Sequence, residues 1–138
     1  MEQIIISATV SAPIHHAWHC YTQPQHITQW NFADPSWHCP SATNDLIVGG
    51  RYVARMEARD GSFGFDFDAV YTEIIPGETF TYEFGGRLAT VTFTDAKGQT
   101  TVKVAFDPET EHSIALQRDG WQAILDNFKR YAESMVPS

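Results

Sequence analysis

One long amphipathic segment near the end of the chain constrains the fold most. Between Ser113 and Met135, apolar side chains fall at Ile114, Trp121, Ile124, Leu125, Phe128, Tyr131, Ala132 and Met135. That is the spacing of a helix with a single apolar face. A lone helix of this length must lay its face on something, and the segment before it reads as consecutive strands. A long helix closing over a curved antiparallel sheet encloses a cavity, so the pattern predicts a container.

The strands follow from alternation and from turn residues. EQIIISATV (2–10) is a first strand. IHHAWHCYT then reads as a short helix with Ile14, Ala17, Trp18 and Tyr21 inward, opened by Ser11 and Pro13, and QHITQW as a second short helical turn. Residues 31–50 read as a loop rich in Asn, Asp, Pro and Ser. A connection that long is usually a lid, a rim or an interface. Five strands are then expected at 51–59, 63–75, 79–84, 87–94 and 100–106, each turn carrying Gly or Pro. Phe65, Phe67, Ala69 and Tyr71 oppose Asp66 and Asp68, while Phe80, Tyr82 and Phe84 oppose Thr79, Thr81 and Glu83. Ala89, Val91 and Phe93 likewise oppose threonines. One face of the sheet is therefore apolar and ring-rich, the other polar.

Composition excludes several functions. The net charge of −8, from 9 basic and 17 acidic residues, together with the lack of any basic run, disfavours nucleic acid and anionic membrane surfaces. The opening MEQIIISATV has no basic n-region, no stretch reaches the length of a membrane span, and Cys20 and Cys39 read as ordinary reduced thiols. A cytoplasmic protein is the expectation. With 4 Trp, 5 Tyr and 9 Phe in 138 residues, the chain has more rings than a small core needs, and some are free to line a pocket or an interface.

Signs of chemistry are sparse. His15, His16, His19 and Cys20 resemble a metal cluster, but no second pair of ligands accompanies them, so they read as the solvated face of a short helix and no metal or cofactor is expected. Glu73, in phase with Phe67, Ala69 and Tyr71, is the one candidate acid or base, since a carboxylate bordering an aromatic cavity would have a raised pKa. Glu83 and Arg87 flank Gly85-Gly86 and are placed to pair across that hairpin. Gly120 sits inside the last helix at a cost of about 1 kcal/mol relative to Ala. It either lets a ligand or a second backbone approach beside Trp121 or packs over a bulky sheet residue.

The order strand, two short helices, hairpins and a long final helix is the helix-grip order. Specific residues accompany it: Pro13 with Trp18, and Trp30 closing the second helix. Asn44-Asp45-Leu46 leads to Gly49-Gly50, followed by Asp60-Gly61 and by Tyr71, Glu73, Ile74 and Pro76. Phe106-Asp107-Pro108-Glu109, then Gly120-Trp121-Gln122 with Leu125 through Phe128, complete the set. In this combination the chain resembles the START-like (SRPBCC) superfamily over essentially its whole length. Within it, the chain is similar to the branch related to the activator of the heat-shock-protein ATPase. The resemblance implies a cavity between the sheet and the last helix. Relatives use it for lipids, hormones or polyketides, and a few catalyse cyclisation or ring hydroxylation. The eukaryotic co-chaperone carries this domain behind a larger amino-terminal domain; residues 1–138 read as the START-like domain alone.

The combined expectation is one α+β domain, a curved six-stranded antiparallel sheet gripping a helix over 113–136. Met56, Phe65, Phe67, Tyr71, Tyr82 and Phe93 would line the cavity from the sheet. Trp121, Leu125 and Phe128 would close it, and Trp30 and Trp37 would guard its mouth. Three functions compete. The first is non-enzymatic binding of a small apolar or aromatic molecule. The second is an interaction module, homodimeric or engaging a chaperone, with an apolar patch around Phe32, Trp37 and the 31–50 loop. The third is a cyclase- or hydrolase-type enzyme, which requires polar groups converging inside the cavity.

Overall fold

The computed structural model describes residues 2–136. Strand β1 (Ile4–Val10) leads into helices α1 (Ile14–Thr22) and α2 (Pro24–Trp30). Six further strands follow: β2 (Trp37–Asn44), β3 (Arg51–Ala58), β4 (Gly64–Ile75), β5 (Thr79–Phe84), β6 (Arg87–Ala96) and β7 (Gln99–Phe106). Helix α3 (Ile114–Ser134) ends the fold. The strands form one curled antiparallel sheet in the order β1-β7-β6-β5-β4-β3-β2. The architecture is the α+β helix grip, with seven strands rather than six.

The extra strand is β2, inside the segment read from sequence as a loop. Its pairing with β3 is broken by a register shift between His38 and Ser41, around Pro40, so its side chains do not alternate cleanly. Proline cannot donate to a ladder and is tolerated at an edge or a bulge. β2 is an edge strand.

The sheet's tight corners are set by local backbone chemistry. At the β5–β6 hairpin both Gly85 (φ 59°) and Gly86 (φ 80°) adopt positive φ, as the two-residue turn that matches strand twist requires. α3 is capped by Ser113, whose Oγ accepts from the Leu116 N–H at 3.1 Å. Its inner stripe runs through Gln117, Trp121, Leu125, Phe128 and Ala132, whereas Ile114 and Met135, expected on that stripe, are exposed. α1 has no side-chain cap at Pro13, so Ser11 does not play that role.

α3 lies along β1 and against α1 and α2. Lys129 Nζ donates to the Thr9 carbonyl (2.8 Å), and the Glu133 carboxylate accepts from the Ser11 N–H (2.8 Å), pinning the helix to the start of the chain. The core is aromatic, with Tyr71, Phe80, Phe106 and Phe128 fully buried. Cys20 and Cys39 are buried free thiols. Among the described residues no helix is long and apolar enough to cross a membrane.

Candidate functional site

Between the sheet and α3 lies a partly enclosed cavity of about 260 Å³. β3 contributes Tyr52 and Met56, β4 Phe65 and Phe67, and β5 Tyr82 and Phe84. These positions share the inner face through strict alternation, which is why rings from neighbouring strands meet: Phe67 stands 5.8 Å from Tyr82 and 5.1 Å from Phe84, centroid to centroid. α3 closes the space with Trp121, Ile124 and Leu125. The Trp121 indole lies flat on Phe106, with centroids 3.9 Å apart and an interplanar angle of 8°, and also meets Phe84.

The far end of the inner face is filled instead of hollow. Tyr21 from α1 packs on Phe128 (4.8 Å), Trp30 (4.9 Å) and Phe93 (5.5 Å), and Trp18 packs on Phe93 (5.2 Å). Of the eleven residues expected at the cavity, Trp30, Met56, Phe65, Phe67, Tyr82, Trp121 and Leu125 reach it, while Trp37, Tyr71, Phe93 and Phe128 do not. Tyr71, Phe93 and Phe128 belong to the packed core beneath α1 and α2. Trp30 is a fixed wall rather than a guard at the mouth: it is buried, and its indole N–H donates to the Cys20 carbonyl at 2.9 Å. Trp37 sits on the edge strand against Phe63 and Phe65, outside the cavity.

Glu73 is not at the cavity. A bulge between Tyr71 and Glu73 inserts Thr72, so Glu73 pairs with Thr81 on the outer face and Ile74 takes the inner position opposite Phe80. Arg87 does not pair with Glu83. Its guanidinium lies over the Phe84 ring at 4.6 Å and its Nη1 donates to the Asp107 carbonyl. A Cβ on Gly120 would meet nothing within 4 Å, so neither a second backbone nor a sheet side chain abuts it. The histidine cluster is only partly a solvated face. His15 and His19 are exposed, but the His16 Nε2–H donates to the Ala132 carbonyl at 2.9 Å and Cys20 is buried.

Ile6, Tyr21, Asn31, Tyr52, Phe84, Arg87, Val104 and Ile124, not among the expected lining residues, also border the cavity. Strand alternation places Phe84 on the right face, and the alternation of Tyr52, Ala54 and Met56 along β3 does the same for Tyr52. Asn31 lies beyond the end of α2, where no periodicity reaches. The polar groups at the cavity are few. Asn31 Nδ2 donates to the Tyr52 hydroxyl at 3.1 Å, and Arg87 supplies one charge. Burial, with the neighbouring phenols, pushes the Tyr52 and Tyr82 hydroxyls well above the usual phenol range, so both are neutral donors. Among the described residues the cavity wall carries no carboxylate, imidazole or thiol. The arrangement suits enclosure of an apolar body by rings, with a few hydrogen bonds at fixed points.

Comparison with known proteins agrees with this geometry. Residues 11–133 match the sequence profile of the Activator of Hsp90 ATPase homolog 1-like proteins. The AHSA1-like protein from Aeromonas hydrophila, solved by solution NMR, is 40% identical, with a TM-score of 0.86 over 95% of this chain and 93% of that one. A protein from Cytophaga hutchinsonii is 41% identical, with a TM-score of 0.82 over 96% and 92%. A protein from Chromobacterium violaceum, 20% identical, shares the fold over the full length of both chains with a TM-score of 0.85. A search of curated proteins finds no match. The helix-grip topology, the matched profile and the two relatives at about 40% identity together place the chain in the family of Activator of Hsp90 ATPase homolog 1-like proteins, within the START-like superfamily.

Proposed function

We propose that this protein is a non-enzymatic cytoplasmic carrier or sensor that holds a small apolar or aromatic molecule between its sheet and α3. The observation that supports it is the cavity of about 260 Å³ walled by rings and aliphatic side chains. Cavities for drug-sized ligands start at about 300 Å³, so the guest is small or leaves part of itself outside. Acid–base catalysis is the weaker reading, because among the described residues no carboxylate or imidazole borders the cavity, burial raises the pKa of the phenols there, and Glu73 faces outward.

The test is titration with N-phenylnaphthylamine, an uncharged probe that brightens on leaving water. Wild type should bind it saturably. Ile124→Trp, which fills the cavity, should weaken binding at least about tenfold, 1.4 kcal/mol, with an unchanged melting temperature. Equal binding by both proteins would place the probe elsewhere and defeat the reading.

A second reading, docking to another protein, has one supporting observation. Trp37, Phe63 and Phe65 cluster at the β2–β4 edge, with Phe63 62% exposed and Phe65 43% exposed. The patch is centred there rather than on Phe32, which is half-buried. A chaperone or a second copy of the chain is the partner this reading names. Sedimentation of wild type against Phe63→Ser, alone and with an Hsp90-type chaperone, tests it: a monomer that never co-sediments rejects it.

A further inference from the structure

We infer that the cavity selects a monoanion, an apolar or aromatic acid whose carboxylate seats on Arg87. This rests on the cavity being a binding site, as proposed above. Among the described residues Arg87 is the only charged one at the cavity wall, on a protein of net charge −8. The alternation that turns Ala89, Val91 and Phe93 inward along β6 turns Arg87 inward as well, so the cation belongs to the inner face by register.

Its surroundings fix it without neutralising it. The guanidinium rests on the Phe84 ring at 4.6 Å, and Nη1 donates to a carbonyl, that of Asp107, at 3.3 Å. The nearby Asp107 carboxylate is occupied elsewhere. Its Oδ2 accepts from the Leu88 N–H (2.9 Å) and its Oδ1 from Gln3 Nε2 (3.2 Å). Among the described residues no carboxylate forms an ion pair with Arg87, whereas Arg51 pairs with Asp68 and Arg55 with Glu57 and Asp66. A half-buried guanidinium with free donors, set beside rings, is built to receive a planar acid group.

The site also has direction. Arg87 lies over Phe84, which meets Trp121, whereas the Asn31–Tyr52 hydrogen bond lies towards Trp30, which packs on Phe128 about two turns further along α3. A bound acid would point its charge to the Trp121 end and its apolar body towards Tyr52.

The experiment compares acids with their uncharged amides by isothermal titration: naphthylacetate against naphthylacetamide, and decanoate against decanamide. Each acid should bind about tenfold tighter than its amide, 1.4 kcal/mol, with a preference that shrinks as salt is added. Arg87→Met should bring the affinity of each acid down to that of its amide, and Arg87→Lys should keep part of the preference. Circular dichroism checks that each variant is folded. A preference in only one pair assigns the guest as aromatic or aliphatic and upholds the inference. Amides that bind as tightly as acids, or a preference that survives Arg87→Met, overturn the anionic guest and leave the cavity reading intact. No binding by either pair or by N-phenylnaphthylamine overturns both.

Discussion

Gly120 offers a direct test of whether the space beside α3 is empty. Glycine inside a helix costs about 1 kcal/mol relative to alanine. At most buried positions a new methyl group would lose part of that gain to crowding. Here the added Cβ has no neighbour within 4 Å, so Gly120→Ala should realise nearly all of it. An unfolding entropy of about 2.1 cal/mol/K per residue over the 138 residues gives roughly 0.3 kcal/mol/K. The melting temperature should therefore rise by about 3 °C. The assay is far-UV circular dichroism on ligand-free protein, with urea unfolding as a second reading of the same difference. A melting temperature that falls or stays fixed would refute the reasoning, because it would mean that something occupies the space beside Gly120.

Gly50 predicts the opposite sign. A Cβ there would sit 2.1 Å from the Asp45 carbonyl oxygen, against backbone that cannot swing aside, so Gly50→Ala should destabilise by about 1–3 kcal/mol in urea titration. Phe128→Ala, at a fully buried ring that packs on Tyr21 and Trp30, should cost about 3–5 kcal/mol on the same assay. Burial raises the thiol pKa of Cys20 and pushes that of Cys39 up to about 11; both should react with a thiol-specific disulfide reagent only at the rate of unfolding, and prompt reaction of the native protein would contradict this. Burial, then the neighbouring His19 and His16, holds His26 below its ordinary 6.5. The unfolded chain therefore binds more protons than the folded one as pH falls through 6.5 towards the folded value, and stability drops across that window. His26→Gln should flatten this slope in melting temperature against pH.

Much of the fold is legible because alternation and turn chemistry are local. Tyr52, Ala54 and Met56, or Phe80, Tyr82 and Phe84, announce their face without knowledge of their neighbours. Two failures share one cause. A single inserted residue reverses parity: Thr72 turns Glu73 outward with nothing in the sequence to mark it, and the shift around Pro40 breaks the alternation that would announce β2. The site was read less well because periodicity gives a residue's face but not how far the covering helices extend. Phe93 lies on the correct face yet under Trp18 of α1, and Tyr71 is buried against Phe80 with its hydroxyl on Asn44, so both are core. Arg87 is legible by the same alternation, but its place beside Gly85-Gly86 equally suggests a pair across the turn.

The sheet order also sets when the molecule can finish folding. β1 pairs with β7 from Ile4↔Phe106 to Val10↔Thr100, so the first strand waits for nearly the last. On a ribosome the opening strand emerges long before its partner and stays unpaired until residue 106 has been made, while β3 to β6 zip up as neighbouring hairpins. Closure of that seam is the natural late step of synthesis. During the wait, the apolar side of β1 is open to capture by other chains.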